Sequence, residues 1–332
     1  MGAVRKSYPR FRREGGTPRI ELTEDDHAVL LLVYRHRFVR ADDIYDLLPH
    51  RSRDKLSRRL TWLYRNQFLD RPISQIDRFR TGPSQALVYG LDNAGARVVA
   101  EQFQVPTGSA DWRSRNRAYT RENLEHTLAI ARFLVDLELG CRNRPDVSMI
   151  SFDQMLETAP EATVRSALPS RWAVPVSWSM AKVEVRIVPD GIFGLRVERP
   201  DRPAVHSHIF LEVDRGSMTI APNAQVRESE GFLYRATILR KLMAYAESWR
   251  RQLHRERFNI PTARVLFLTT TQARAEAMRA AAQTLVIDRW KVPPGLFLFG
   301  VQVEGGNVLD LEYRNAAGAP AGLLPISKSI RP

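Results

Sequence analysis

Two acidic side chains stand close together in the sequence and a third lies upstream of them, in a pattern that could hold a cation. In "IFLEVDRGS", Glu212 and Asp214 are two residues apart on a stretch that otherwise reads as a buried strand. Side chains at i and i+2 leave a strand on the same face, so Phe210, Glu212 and Asp214 are predicted to point one way and Leu211 and Val213 the other. Upstream, "IVPDGIF" closes a preceding extended segment with Pro189, Asp190 and Gly191, a turn that presents Asp190 beside its neighbour. Carboxylates that converge at adjacent strand ends repel one another unless a proton or a cation lies between them, which points to a divalent metal. The same residues have a plainer reading, in which Asp190 is the turn residue of a "PDG" sequence and Glu212 and Asp214 pair with Arg215 or neighbouring arginines.

These residues need a scaffold, and the segments around them supply one. "RENLEHTLAIARFLVDLELGCR" carries Leu124, Leu128, Ala131 and Val135 on one stripe and reads as a helix. Extended segments follow in "VSMISFD", "WAVPVSWS", "KVEVRIVPDGIFGLRV" and "HSHIFLEVDRG". A second long helix is predicted from Gly231 to Gln252, then a strand "RVLFLTTT", a helix "QARAEAMRAAAQTL" and a strand "GLFLFGVQV". This order describes a mixed sheet covered by helices, an α/β domain. On the second helix Tyr234, Ile238, Lys241 and Tyr245 share one face, distinct from the stripe of Leu239, Leu242, Ala246 and Trp249.

The N-terminal part reads differently. Thr23 and Asp26 are spaced as a capping box ahead of a helix with Val29, Leu30, Leu32 and Val33 on its apolar stripe. "RADDIYDLL" is a short amphipathic helix stopped by Pro49, and Ser52 caps a third helix, "SRDKLSRRLTWLYRNQ". In that helix Leu56, Leu60 and Leu63 form one face, Lys55, Arg58 and Arg65 project opposite, and Arg59 lies on the flank. Residues 68–92 read as two strands around a "TGPS" turn with Arg71, Arg78 and Arg80 along them, followed by a helix in "NAGARVVAEQF". Three helices, a basic hairpin and a closing helix make a winged helix-turn-helix domain that binds double-stranded DNA. Arg58, Arg59, Arg65, Arg78 and Arg80 are its predicted phosphate contacts, and Arg51, Arg53 and Lys55 at the start of the third helix are placed to read bases.

Bulk properties agree. The chain has 332 residues, 50 Lys and Arg against 37 Asp and Glu, and a net charge of +13. Residues 1–119 hold 22 basic and 14 acidic side chains, so the excess is concentrated there. A polyanionic partner accounts for this, although only 6 of the 50 cations are lysines, a bias that codon usage also produces. No apolar run could span a bilayer and the start has no secretory pattern. The single cysteine, Cys141, excludes an internal disulfide and a thiolate zinc site and fits a reducing cytoplasm. The predicted organisation is a basic arm over 1–19, the winged helix over 20–104, a basic linker over 105–119, the α/β domain over 120–314 and a tail over 315–332.

Two resemblances sharpen this reading. The strand acids after "PDG" resemble the PD-(D/E)xK superfamily, whose fold is a restriction-endonuclease-like α/β/α sandwich. The resemblance implies Mg²⁺ or Mn²⁺ held by Asp190 and Glu212, with Asp214 assisting the metal or water. The lysine usual two residues after the strand acid is Asp214 here, and Lys241 from the next helix is the implied replacement. Glu122 or Glu125 is the implied fourth acid. The order "LTEDD", "VYGLDNAGARVVA", "EHTLAIARF", "PDGIF", "FLEVDRGS", "RKLMAYAE" and "RVLFLTT" resembles the replication-relaxation family of plasmid and mobile-element proteins. It implies a DNA-binding protein acting in replication, DNA relaxation or mobilisation, beside a relaxase, a transposase or a replication protein. Alternatives are a metal-dependent nuclease or nickase using Asp190, Glu212 and Lys241, and a repressor of its own element, which predicts a homodimer on a palindromic site.

Overall fold

The computed structural model describes residues 10–13, 21–79, 85–105, 111–179, 181–303 and 305–324, with the backbone alone at 77–79 and 230. Two compact units divide the chain between Val135 and Asp136. The predicted arm, the "TGPS" turn and the end of the tail fall largely outside the described residues, and Arg80 lies there too.

The first unit begins with α1 (Glu24–His36), whose Thr23 side chain accepts from the Asp26 amide while Asp26 returns a bond to the Thr23 amide. This is the capping box read from the sequence. After β1 (Phe38–Arg40), α2 (Ala41–Leu47) and α3 (Arg53–Arg65) follow, with Ser52 capping the latter. Leu56, Leu60 and Leu63 are buried against Val29, Leu30, Val33 and Ile44. β2 (Leu69–Asp70) and β3 (Val88–Leu91) complete a three-stranded antiparallel sheet in the order β1-β3-β2.

The hairpin predicted over 68–92 is much shorter than expected. Its first strand ends at Asp70, and Ile73–Phe79 is a 3-10 helix, so the backbone at Arg78 is helical. Pro72 has no amide to give a strand ladder. The Gln75 side chain takes over that pairing: its amide nitrogen donates to the Val88 carbonyl at 2.9 Å and its oxygen accepts from the Val88 amide at 2.8 Å. Arg71 is buried, donating to Thr61 Oγ1 and the Tyr89 hydroxyl.

Asp92 caps α4 (Asn93–Phe103). Gly95 fits under it because a Cβ there would lie 2.1 Å from the Phe68 carbonyl oxygen. The segment read as a linker contains α5 (Trp112–Arg117), with Trp112 buried in the first core and Asn116 bonded to Asp70 and the Leu91 carbonyl. The division between units falls inside α6 (Arg121–Arg142), whose Leu124 and Leu128 pack on Phe38 and Val88.

The second unit is an α/β fold built on a mixed seven-stranded sheet. Its strands are β4 (Val147–Ile150), β7 (Gly191–Arg199), β8 (Arg202–Val213), β9 (Arg264–Thr269), β10 (Phe297–Val301), β11 (Tyr313–Asn315) and β12 (Pro320–Ala321). They run in the order β12-β11-β10-β9-β8-β7-β4, with β8-β9-β10 parallel and the other pairs antiparallel. β5 (Trp172–Trp178) and β6 (Ala181–Ile187) form a separate hairpin.

The helices of this unit are α7 (Phe152–Glu157), α8 (Glu161–Val164), α9 (Ala224–Arg227), α10 (Ile238–Arg250), α11 (Leu253–Phe258), α12 (Gln272–Ala282) and α13 (Asp288–Trp290). The helix predicted over 231–252 is interrupted: Glu230–Tyr234 is a 3-10 turn, and Thr237 starts α10 by capping the Arg240 amide. Leu239, Leu242, Met243 and Ala246 of α10 share one core with Val174, Val176, Phe210 and Phe267. Cys141 is buried and burial raises its thiol pKa to about 11, which makes it inert. Among the described residues no helix is long and apolar enough to cross a membrane.

Candidate functional site

β8 lies between β7 and β9, inside the sheet, so its end is fixed on both sides. On the β7 side the Asp190 amide donates to the Leu211 carbonyl at 2.9 Å and the Val213 amide donates back to Asp190 Oδ2 at 2.8 Å. On the β9 side the Asp214 amide donates to the Leu268 carbonyl at 2.7 Å. Backbone pairing therefore sets the positions of Asp190, Glu212 and Asp214.

Glu212 points at α10. Its Oε2 accepts from Lys241 Nζ at 2.5 Å and its Oε1 accepts from the Tyr245 hydroxyl at 2.6 Å. Lys241 and Tyr245 are one helical turn apart, so a single face of α10 presents both donors to one carboxylate. Burial raises the Glu212 pKa, and so does the charge of Asp190; Lys241 and Tyr245 pull it down, and it settles at about 7. Burial alone would lower the Lys241 pKa, but Glu212 and Asp190 outweigh this and hold it above the ordinary lysine value. The Tyr245 hydroxyl is pushed well above its ordinary value by burial and by Glu212.

Asp214 does not join this group. Its carboxylate accepts from Arg274 Nε at 2.5 Å, Arg274 Nη2 at 3.0 Å, Thr269 Oγ1 at 2.8 Å and the Gly216 amide at 3.0 Å. Burial raises the Asp214 pKa, yet these bonds outweigh it and leave the group below the usual carboxylate range. Gly216 reaches its place with φ of 89°, a conformation side chains oppose. Arg274 also donates to the Met218 carbonyl, so Asp214 and Arg274 tie the loop after β8 to α12. The expected convergence of three carboxylates is thus corrected: an arginine neutralises the third acid, and two remain.

The residues present do not fit a divalent cation in this arrangement. Both Glu212 oxygens are taken by Lys241 and Tyr245, and Asp190 Oδ2 is taken by the Val213 amide. The Lys241 ammonium supplies the positive charge that paired acids require. Among the described residues no group of three His, Cys, Asp or Glu side chains could hold a metal. Glu122 and Glu125 lie on the part of α6 that belongs to the first unit.

In the first unit α3 carries the predicted cationic face. Arg51, Arg53, Lys55 and Arg58 are exposed and Arg65 is half-buried. Arg51 pairs with Asp25, Arg53 lies 3.7 Å from Asp46, and Arg58 Nε donates to the Asp54 carbonyl at 3.3 Å. Lys55 has no ion-pair partner among the described residues. Arg59 departs from the set. Its guanidinium donates to Asp26 Oδ1 at 2.8 Å and Asp26 Oδ2 at 2.5 Å, and also to the Glu21 carbonyl, which binds α3 to the start of α1. Asp26 is buried, and Arg59 together with Thr23 holds its pKa below the ordinary value against the opposing effect of burial. The side chain of Arg78 lies outside the described residues, as does Arg80.

Sequence reasoning missed Arg274, Thr269 and the role of Tyr245. The spacing of Tyr245 from Lys241 was a usable signal, whereas nothing local ties residue 274 to residue 214.

The molecule is thus an α/β protein with a buried acid–lysine–tyrosine cluster in one unit and a cationic helix in the other. The chain belongs to the replication-relaxation family, whose model matches residues 30–262. That span contains α3, Asp190, Glu212, Lys241 and Tyr245, while Arg274 falls beyond it. No curated protein and no solved structure matches the chain.

Proposed function

We propose that the protein binds double-stranded DNA of a plasmid or other mobile element and acts in its replication or relaxation. The first unit serves as a winged helix-turn-helix, and the second as a restriction-endonuclease-like platform without cleavage in its present arrangement. The observation that carries this reading is the set of exposed cations Arg53, Lys55 and Arg58 on α3, with Arg51 just ahead of its cap, on a helix whose Leu56, Leu60 and Leu63 are buried. Membership of the replication-relaxation family supports it. Phosphate contacts by such a row release counterions and make binding steeply salt-dependent.

A second reading is nicking with Mg²⁺ or Mn²⁺. The meeting of Asp190, Glu212 and Lys241 favours it, but Glu212 would have to exchange Lys241 and Tyr245 for a cation. Incubating supercoiled plasmid with the protein at low salt, with Mg²⁺, Mn²⁺ or chelator, separates the two. A salt-sensitive shift without nicked product supports the binding reading. Metal-dependent nicking lost in Asp190→Ala supports the second and overturns the first.

A further inference from the structure

The second unit contains a cleft of about 310 Å³ whose lining includes Lys182, Glu247, Arg250, Arg251, Arg289 and Trp290. Four cations face one carboxylate there, and that carboxylate is already committed. Glu247 accepts from Arg250 Nε and Nη2 at 3.0 Å each and from Arg251 Nε at 2.6 Å, an arrangement that holds both guanidinium groups in place. Lys182 and Arg289 are exposed and have no ion-pair partner among the described residues. The Arg289 guanidinium lies 4.0 Å from the Trp178 ring centroid and 5.5 Å from that of Trp290, and the two tryptophans stack at 6.0 Å with 20° between their planes. A guanidinium resting on an aromatic face keeps its N–H edge free to meet a phosphate.

We infer that this cleft takes one nucleotide of a single strand of nucleic acid, its phosphate met by Lys182 and Arg289 and its base resting on Trp290. The concavity is small enough to admit one unstacked nucleotide and too small for a duplex. Trp290 is only partly buried, and cations beside an accessible aromatic ring are the pairing that binds single strands without reading sequence. Replication and relaxation both expose single strands, so the site rests on the DNA reading above and extends it to a second form of DNA.

The test measures anisotropy of a short labelled oligothymidylate and, separately, of a labelled duplex, with the full chain. Lys182→Gln/Arg289→Gln and Trp290→Ala are each predicted to weaken oligothymidylate binding by about 10-fold or more and to leave duplex binding unchanged. Lys182→Gln alone guards against misfolding, since that side chain is exposed and unpartnered; it too is predicted to weaken the single-strand arm alone. Lys55→Ala/Arg58→Ala should weaken the duplex arm only, so failure of the DNA reading appears there and failure of the cleft appears in the other arm. The inference is overturned if the wild-type chain binds no oligothymidylate, or if the cleft variants bind it like wild type. It is equally overturned if a polyglutamate peptide, which has charge but no base, competes as well as the oligomer.

Discussion

Lys241 Nζ of α10 lies 2.5 Å from Glu212 Oε2 of β8, so a helix 29 residues downstream neutralises the acid of an interior strand. The Glu212 side chain is 3% exposed and that of Lys241 36%. The carboxylate therefore depends on the lysine more than the lysine depends on it. Lys241→Met leaves Glu212 buried with Tyr245 as its remaining donor. We predict a loss of about 1–3 kcal/mol at pH 8, discounted from the figure for a fully buried pair because the lysine reaches solvent. Glu212→Gln, which can still accept from Tyr245, should cost less. Denaturant unfolding of the two variants checks the order.

The raised pKa of Glu212 has a defined sign in stability. A group whose folded pKa exceeds its unfolded value favours folding fully below the unfolded value and loses that contribution as pH rises through the folded one. For Glu212 the window runs from 4.5 to about 7. In Glu212→Gln the part of the pH dependence lying in this window should disappear. Unfolding free energies measured across it, wild type against variant, show whether the two curves converge at its acid end.

Asp214→Lys places a lysine where the PD-(D/E)xK pattern usually has one. Here it would set an ammonium against Arg274 and remove the acceptor of Thr269 and Gly216. The predicted cost is about 3 kcal/mol, which for a unit of this size lowers the melting midpoint by roughly 6–12 °C. Calorimetry reads this directly. An unchanged midpoint would mean that Asp214 is not the tie between the loop after β8 and α12.

Asp26 both closes the capping box of α1 and binds Arg59, so Asp26→Ala should destabilise the first unit by about 2–4 kcal/mol. Because its folded pKa is depressed, its contribution is present above the unfolded value of 3.8 and lost as pH falls through the folded value. Arg59→Ala should lose nearly as much, and a double-mutant cycle with Asp26→Ala should show strong coupling. Additive losses would contradict the pairing.

The sequence made local relationships legible and hid distant ones. Thr23 and Asp26 are three residues apart, and the cap formed as read. Lys241 meets Glu212 because helical spacing separates its face from the apolar stripe of α10 and the alternation along β8 points Glu212 toward that face. The partner of Asp214 could not be read, since Arg274 is 60 residues away and looks like any exposed arginine at the start of a helix. Arg59 misled for a related reason: periodicity put it beside the cationic face, and only the packing of α3 on α1 shows that Asp26 holds it. The extended reading of 71–79 failed because Gln75 supplies Val88 with the bonds of a strand that is not there.

If α3 binds duplex DNA through its exposed cations, duplex affinity must depend on salt. For the wild-type chain we predict that log K falls linearly with log salt, and that Lys55→Ala/Arg58→Ala weakens binding about 10-fold or more while making the slope shallower by roughly 2. Wild-type binding that ignores salt, or a double variant with unchanged affinity and slope, would contradict it.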